Sequence, residues 1–526
     1  MALNYFPQSF SLSSLALAAA LLSLIYLLHR RATKDRIVPA GLSWVGLRNE
    51  RFATTRLHLR DAFAAPAHLK EGYEKYSKAN LPFISPNITF RPVVILPPSH
   101  FRWLISQPDD VLSIAAVLKD AVQFHYTSPS SWTFSRAFHV EALNKMPLDL
   151  LTSAIVDEIT TSIDTLWGTD SSTWRKVPVS TMNTAICRIT NRVFVGADLS
   201  RDPTYIAHQT AFVHAIALSA GLINNALPKL LHPLLGPLVA LPCRYYDYRC
   251  SRYIVPLVEH HLRLCVAAAV AQSADIVPSF GPPRDMLQFF ARYAVRSADA
   301  ADRNARAICS RLLALNFVGI HTSTMTMVNA LLDMLSPAGA ARECWAAVRE
   351  EAVGVLRAHG GVWSKAAVNQ LVRNDSVFRE SLRFSPFKLK GVDREVVASK
   401  GVVLPDGTYL PKGTRVALPT HGVHFDDRFY SDPMTFDPWR FVGVEGAGMI
   451  AAGETFLGFG LGRHACPGRF FSAHELKLLL AYITLNYDIQ PLEERYANTE
   501  FSDFSVPRDI ELTIKRRKQS AHLDDD

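Results

Sequence analysis

The sequence predicts one large domain that is mainly α-helical with small β-sheets and is preceded by a single N-terminal transmembrane helix. Three observations favour this fold class. An uncharged apolar stretch occupies residues 9–28, apolar residues recur at helical spacing between about 108 and 385, and short strand-like segments occupy 392–419. The 526 residues are 48% hydrophobic and 20% charged, which is typical of a folded chain with a sizeable core.

The first predicted element is the apolar stretch 9–28. Its length, at about 1.5 Å per residue, corresponds to roughly 30 Å, the thickness of a bilayer core. Arg30, Arg31 and Lys34 follow it and no basic residue precedes it, so the positive-inside rule puts 1–8 in the lumen and the body in the cytosol. A cleaved signal peptide is the alternative, but it would need a basic start and a shorter apolar run. We therefore expect a single-pass anchor in the endoplasmic reticulum membrane.

The boundaries of the remaining segments follow from composition and periodicity. Residues 29–60 form a linker and the start of the body, the body extends over 61–517, and 518–526 are a polar tail. Within the body a helix is predicted at 468–487, and we expect the last stretch, up to Lys515, to form a β-hairpin.

One apolar segment is unusual because it carries four prolines. It extends from Asn225 to Pro242, and its prolines exclude a continuous transmembrane helix. Two interpretations stay open. The segment is either a buried loop between helices or a second patch that enters the membrane surface beside a substrate entrance.

Charge and cysteine content exclude several classes of function. The net charge of +8 is a mild excess for this length, and no dense basic run is interleaved with aromatics, so nucleic acid is not expected as a partner. A cationic face would suit an acidic protein or an anionic membrane. The seven cysteines form neither a C-x-x-C pair nor a zinc pattern, and we expect all but one to be buried reduced thiols.

The strongest chemical signal is the loop at 459–468, FGLGRHACPG. Its glycines allow a tight turn that brings backbone N–H groups to a cysteine sulfur, and an aromatic ring can cover that sulfur. The loop resembles the cysteine loop F-x-x-G-x-[RH]-x-C-x-G of the cytochrome P-450 family. Its fixed places are filled by Phe459, Gly462, His464, Cys466 and Gly468.

The resemblance implies haem b as the cofactor, with Cys466 as the axial ligand of the iron. The alternative, a buried structural cysteine, does not explain five matches within ten residues. His464 stands where the family often has arginine, a residue that typically faces a haem propionate. A neutral imidazole donates a hydrogen bond without a fixed charge, so its contribution should depend on pH.

A second pattern joins Glu380 and Arg383 with Arg440, which lies 57 residues after Arg383 and 26 residues before Cys466. An isolated i, i+3 pair is usually a solvated surface pair. The order and spacing resemble the family's E-x-x-R helix, the arginine of its proline-rich segment and its cysteine loop. The resemblance implies that Glu380, Arg383 and Arg440 form a buried charge triad with a structural role.

A third pattern lies on the predicted central helix. Gly319 and Thr322 match the family's [AG]-G-x-[DE]-T, whereas Val318 replaces the small residue and His321 replaces the acid. The resemblance implies that Thr322 holds the water that delivers protons to the site of oxygen activation. His321 either relays protons in place of the missing carboxylate or is a packed side chain without a catalytic role.

Three further residues are candidates for contacts with the haem propionates. Trp132 and Arg136 match the family's W-x-x-x-R, and Arg394 lies eleven residues after Arg383, near another propionate arginine of the family. All three are also compatible with ordinary surface positions.

The resemblance implies a monooxygenase that inserts one oxygen atom from O2 into a lipophilic small molecule. Electrons would come from NADPH through a separate NADPH-cytochrome reductase, and membrane lipid would be a further partner. The central-helix variant and His464 resemble fungal members of secondary metabolism, some of which act on terpenoids. The expected substrate is therefore a terpenoid or another secondary metabolite.

Two alternative functions stay open. A haem-thiolate isomerase or dehydratase would keep the fold without oxygen chemistry, but such members tend to lose the threonine that Thr322 supplies. A non-catalytic haem-binding sensor or carrier would need neither a redox partner nor a threonine on the central helix. Oxygen consumption that depends on the reductase and the substrate distinguishes the three.

Overall fold

A computed structural model describes residues 39–128, 143, 146–225, 227–273, 285–297, 299–337 and 341–518. The predicted anchor at 9–28 and the candidate haem contacts Trp132 and Arg136 lie outside the described residues.

Helices make up most of the described chain, as the periodicity of its apolar residues predicts. The α-helices are Ala53–Lys75 (α1), Phe101–Ser106 (α2), Ile114–Ala121 (α3), Phe124–Thr127 (α4), Leu148–Trp167 (α5), Thr181–Val195 (α6), Ala197–Arg201 (α7), Pro203–Asn225 (α8), His232–Val239 (α9), Leu241–Ser273 (α10), Met286–Arg296 (α11), Ala305–Leu335 (α12), Ala341–Ala358 (α13), Lys365–Asn369 (α14), Val372–Phe384 (α15), Thr420–His424 (α16) and Arg469–Asn486 (α17).

The strands form small sheets at the edge of the helical body. They are Phe83–Ser85 (β1), Val93–Ile95 (β2), Leu112–Ser113 (β3), Arg175–Pro178 (β4), Gly391–Val396 (β5), Val402–Val403 (β6), Tyr409–Leu410 (β7), Arg415–Leu418 (β8), Tyr487–Ile489 (β9), Thr499–Phe501 (β10), Phe504–Val506 (β11) and Glu511–Arg516 (β12). The largest sheet has the order β1-β2-β8-β5-β3, in which only β2 and β8 are parallel.

The prediction of short strands at 392–419 is confirmed, since β5 to β8 occupy this region. The prediction of a β-hairpin in the last stretch is confirmed in part, because the hairpin does not extend to Lys515. The hairpin is the small pair β10–β11, whereas β12 pairs with β9 and with β4, more than 300 residues earlier. Strand pairing of this kind depends on tertiary contacts, which local turn signals do not report.

The central helix α12 contributes many buried residues to the main hydrophobic core. Asn304 caps it, because its side-chain oxygen accepts a hydrogen bond from the Ala307 amide at 3.1 Å. Buried residues of α12 pack with those of α5, α6 and α17 in one apolar cluster. Because α17 begins directly after the cysteine loop, this packing fixes the loop relative to α12.

The part of the proline-rich segment that the structure describes, 227–242, is not a buried loop, so that interpretation is wrong. It forms a 3-10 turn at Lys229–Leu231 and the short helix α9, in which one proline occupies the first turn, where its missing N–H costs no hydrogen bond. Its outward leucines are strongly exposed. This leucine patch consists of Leu230, Leu234, Leu238 and Leu241, with exposed fractions of 71, 69, 58 and 53%.

Among the described residues, one helix is long and apolar enough to cross a bilayer. It is α8, whose most apolar window has a mean hydropathy of 1.4 and is half buried inside the protein. Burial of this extent is also typical of a core helix in a soluble domain. The finding does not test the predicted N-terminal anchor.

Candidate functional site

The loop that carries Cys466 is held by its own backbone and by α2. The Cys466 amide donates to the Phe459 carbonyl at 2.8 Å. Gly462 has a φ of +67°, and a Cβ there would lie 2.8 Å from the Cβ of Ile105, so a larger residue does not fit without a shift. Gly468 differs, because its φ is −80° and an added Cβ would meet Cys466 Sγ only at 3.9 Å. A side chain added at Gly468 would therefore have room.

Two cavities adjoin Cys466. The larger, about 520 Å³, lies between the cysteine loop and α12 and is lined mostly by apolar side chains, including Leu118, Phe194 and Leu315. The smaller, about 300 Å³, extends toward β5. Phe459, His464 and Cys466 line both. The larger volume lies in the range of pockets that bury sizeable organic ligands.

The residues at these cavities fit a haem group. Among the residues that the structure describes, no group of three His, Cys, Asp or Glu side chains could hold a bare metal ion. Cys466 lines both cavities, and a cysteine thiolate is a ligand that haem iron takes. Gly319 lines the larger cavity, and an added Cβ there would meet nothing within 4 Å. The space beside α12 is thus open and apolar, as a flat macrocycle requires.

The electrostatic surroundings of Cys466 act in opposite directions. Burial raises the pKa of the Cys466 thiol above its ordinary value, whereas the Gly468 amide and the positive charge of Arg469 lower it. Burial dominates, so the thiol by itself is neutral at physiological pH. A cysteine in this state becomes a thiolate when a metal displaces its proton.

His464 lies at the boundary of both cavities and has an acidic partner. Its Nε2 is 2.7 Å from Asp109 Oδ1, and only 4% of its side chain is exposed. Arg463 donates to the same carboxylate oxygen at 3.0 Å. Although burial raises the pKa of Asp109, hydrogen bonding and charge from His464 and Arg463 hold it below its ordinary value. His464 therefore lies beside a fixed anion, which the cysteine-loop motif did not indicate.

Arg394 is the propionate candidate that the structure describes, and it is not a surface residue. It lies on β5, is 2% exposed, and lines the smaller cavity together with His464 and Cys466. Its Nη1 donates to the Asp393 carbonyl at 2.9 Å. The structure thus brings one buried cation and one imidazole to the same side of the cysteine loop.

Thr322 and Gly319 face the larger cavity, on the side opposite the cysteine loop. The Thr322 hydroxyl donates to the Val318 carbonyl at 2.8 Å, and the Gly319 carbonyl is 3.4 Å away. This back-bond to the helix leaves the lone pairs of the hydroxyl available to water in the cavity.

His321 is not brought to the cavity with Thr322. It does not line either cavity at Cys466, and its ring stacks on His214 of α8 with a centroid distance of 5.5 Å. Burial, and next the neighbouring His214, lower the pKa of His321 to about 4. Of the two interpretations of His321, this geometry favours the packed side chain.

The three charged residues of the predicted triad are brought together, two from the end of α15 and Arg440 from a later segment. Arg383 donates to both carboxylate oxygens of Glu380, at 2.7 and 2.8 Å, and Arg440 Nε lies 3.1 Å from each. Glu380 and Arg383 are fully buried, and the Arg440 side chain is 10% exposed. Arg383 also donates to carbonyls of the segment that carries Arg440, so the cluster ties this segment to α15.

Several polar residues of the site carry no recognisable sequence signal. Besides Asp109, the larger cavity is lined by Thr190, Ser323 and Ser472, and the hydroxyls of the two serines are 3.2 Å apart. They come from α6, α12 and α17, which are distant in the chain. Only the serine on α17 could have been suspected, from its position one turn beyond the cysteine loop.

The chain is similar to known proteins over most of its length. The chain matches the family described as Cytochrome P450 over residues 110–512. It is 33% identical over 508 residues to cytochrome P450 monooxygenase htyF of Aspergillus rugulosus, covering 92% of this chain and 73% of that protein. It is 30% identical over 506 residues to polB of Polytolypa hystricis (91% and 94%) and 31% identical over 510 residues to gloP of Glarea lozoyensis (90% and 91%), both also named cytochrome P450 monooxygenases.

An apolar cavity lies between the cysteine loop and the long central helix, and its lining suits a haem-thiolate protein. The family match covers most of the chain, and the chain belongs to the cytochrome P450 family as a monooxygenase.

Proposed function

We propose that the chain is a membrane-bound haem-thiolate monooxygenase of fungal secondary metabolism that oxidises a lipophilic small molecule, a terpenoid or a related metabolite. The observation that carries this proposal is the position of Thr322 and Cys466 on the same apolar cavity of about 520 Å³. The names of the relatives support the reaction class.

Cys466 would hold the iron of haem b, and Phe459 and Gly462 would shape the loop around its sulfur. When bound, haem supplies the reductive activation of oxygen, which a thiolate ligand promotes. His464 and Arg394, which line the smaller cavity, would offer a hydrogen-bond donor and a buried cation to the propionates. Trp132 and Arg136 stay candidates for the same role.

Thr322 would order the proton-bearing water of the cavity. Because its own proton is directed to the Val318 carbonyl, its oxygen accepts a hydrogen bond from a water above the cysteine loop. The apolar walls exclude other water, so protons arrive only where polar side chains admit them. A threonine in this position opposes the oxygen-independent isomerase or dehydratase, as well as a sensor or carrier.

The substrate class follows from the lining. Leu118, Leu143, Phe194 and Leu315 offer apolar contacts in the larger cavity, and charged side chains are few. Such a pocket binds its ligand mainly by burial of apolar surface, with a few polar groups for orientation. A lipophilic substrate would reach it from the membrane.

Membrane lipid is the proposed environment of the protein. The leucine patch on and beside α9 supports a second membrane contact in addition to the anchor at 9–28. The proposed location is the endoplasmic reticulum membrane, and the basic residues after the anchor support an orientation with the body in the cytosol. NADPH would supply electrons through a reductase, and the net charge of +8 suits an acidic partner.

The proposal is tested with the full chain produced in microsomes together with a reductase. A panel of terpenes, fatty acids and other lipophilic metabolites is screened for a shift of the Soret band and for products that carry one oxygen atom from 18O2. Label in the product, dependent on NADPH and reductase, is expected. Conversion without oxygen would instead establish the isomerase, and haem binding with no turnover would establish the carrier.

A further inference from the structure

A fully buried histidine lies between the charge triad and the cysteine loop. His424 is the last residue of the short helix α16 and is 0% exposed. Its backbone carbonyl accepts a hydrogen bond from Arg383 Nη1 at 2.7 Å. Its ring nitrogen Nε2 accepts a hydrogen bond from the Leu457 amide at 2.9 Å. One residue thus connects an arginine of the triad to the chain that leads into the cysteine loop.

The bond to Leu457 fixes the protonation of the ring. Because Nε2 accepts, the proton of the neutral ring lies on Nδ1, which has no hydrogen-bond partner among the residues that the structure describes. Burial, and next the charge of Arg383, lower the pKa of His424 to about 3. The ring is therefore neutral at physiological pH, and Nε2 stays available as an acceptor.

The residue before Leu457 is held by two side chains. The His424 ring stacks on Phe456 with a centroid distance of 5.5 Å and an interplanar angle of 13°. The Arg379 guanidinium lies 3.9 Å from the centroid of the same Phe456 ring, and it donates to two carbonyls of residues 448–451 at 2.6 and 2.9 Å. Side chains of α15 and α16 therefore fix the chain just before the loop begins.

From Leu457 onward the loop is hydrogen-bonded to itself. The Leu457 carbonyl accepts the Gly460 amide at 2.9 Å, and the Phe459 carbonyl accepts the Cys466 amide at 2.8 Å. Leu457 also lines the smaller cavity together with Cys466. A displacement of Leu457 would therefore change the position of the sulfur.

We propose that His424 is a positioning residue for the thiolate ligand. By accepting the Leu457 amide, it holds the cysteine loop in the form in which Cys466 can ligate the iron. The inference rests on the proposed function, in which Cys466 is that ligand. Without the acceptor, the Leu457 N–H stays buried and unpaired, which destabilises this end of the loop. Loss of a partner that orients a metal ligand weakens the bond of that ligand to the metal.

Two substitutions separate the acceptor from the ring. His424→Gln removes the ring but brings an amide oxygen to about the place of Nε2, so it can accept the Leu457 amide. His424→Phe keeps a ring for the stack on Phe456 but has no acceptor. His421→Phe is the matched control, because His421 lies on the same helix and its ring stacks on Phe425 at 4.5 Å.

The first measurement is the spectrum of the reduced carbon monoxide complex of the full chain, compared at equal haem content. Wild type, His424→Gln and His421→Phe should all show the thiolate-type Soret shift. His424→Phe should lose most of it. A role of His424 in packing alone predicts the opposite order, in which the ring rescues and the amide does not.

The second measurement is hydrogen exchange of the Leu457 amide in the same haem-loaded proteins, by mass spectrometry. In His424→Phe this amide should exchange about five- to tenfold faster than in wild type, the equilibrium factor that one such hydrogen bond contributes. His424→Gln should restore its protection, and His421→Phe should not change it.

Three results would overturn the inference. They are an unprotected Leu457 amide in wild type, a full Soret shift in His424→Phe, and loss of the shift in His424→Gln. If His424→Phe does not bind haem, His424→Asn replaces it, because its amide is too short to reach Leu457. A wild type without the thiolate-type shift would contradict the proposed function, and the exchange of the Leu457 amide would still decide its bond to His424.

Discussion

Arg383 and Glu380 form a bidentate ion pair in which both side chains are fully buried, with nitrogen–oxygen distances of 2.7 and 2.8 Å. The carboxylate also accepts the Asp437 amide at 3.0 Å and Arg440 Nε. Every charge in the cluster thus has a partner. Removal of one partner from such a buried pair strongly lowers the free energy of unfolding, because the charge of the other partner stays buried without compensation.

Arg383→Ala should therefore destabilise the protein by about 3–5 kcal/mol and give unfolded or haem-free material. Haem content and the melting temperature measure this. Arg373→Ala is the matched control on α15, because Arg373 pairs with Glu350 where both side chains are well exposed. Arg373→Ala should lower the free energy of unfolding by no more than about 1 kcal/mol. A haem-loaded Arg383→Ala with unchanged stability would contradict the structural role.

Cys466→Ser should abolish the thiolate-type Soret shift of the reduced carbon monoxide complex, because a hydroxyl does not replace the thiolate. Cys265→Ser is the control, since Cys265 is a partly buried thiol on α10 and does not line the cavities at Cys466. It should leave the spectrum intact. Survival of the shift in Cys466→Ser would refute the assignment of the haem ligand.

Thr322→Ala should keep haem and substrate binding but divert NADPH to hydrogen peroxide, because the water of the cavity loses its hydroxyl partner. Product per NADPH should fall by about tenfold, less than the roughly 10²–10⁴-fold of a positioned acid or base, because Thr322 only orders the water. Thr324→Ala removes the same kind of back-bond, to the Ile320 carbonyl at 2.8 Å, without touching the cavity. Its coupling should stay normal, and equal coupling in both variants would revive the oxygen-independent alternative.

His321→Phe should leave coupling unchanged, because the ring packs on His214 and does not line the cavity. The change should instead appear in the pH dependence of stability. Burial lowers the pKa of His321 from 6.5 to about 4, so the unfolded state binds its proton first as pH falls. Wild type therefore loses stability between these two values through this group, and His321→Phe should lose less. Urea unfolding at several pH values measures this difference in stability between wild type and variant. A loss of coupling in His321→Phe would instead support the interpretation of His321 as a proton relay.

The predicted topology is tested by glycosylation. Asn87 and Asn374 both match the acceptor pattern, and both should stay bare. Asn374 is fully buried in the folded protein, so Asn87 is the more accessible reporter. With the body in the cytosol, Asn87 should stay bare in microsomes. An Asn87→Gln variant is the control, and a glycosidase-sensitive mobility shift that this change abolishes would overturn the topology.

The sequence by itself determined the family, because the motifs that identify it consist of residues only a few positions apart in the chain. The cysteine loop and the Glu380–Arg383 pair are local patterns, and the helical period of the body follows from its apolar residues. The structure adds that Gly462 is required by Ile105, whereas Gly468 has ordinary room. Periodicity also predicted the short strands before the loop, although not the partners of β12.

Tertiary structure decided which polar groups meet at the cavity. His464 lies beside Asp109, 355 residues earlier, and Glu475 lies beside Thr190, 285 residues earlier. His321 occupies a catalytic place in the sequence pattern, yet the packing of α8 against α12 turns it to His214. A motif fixes the order of residues along a helix, but the direction in which each side chain finds a partner depends on the elements that pack around it.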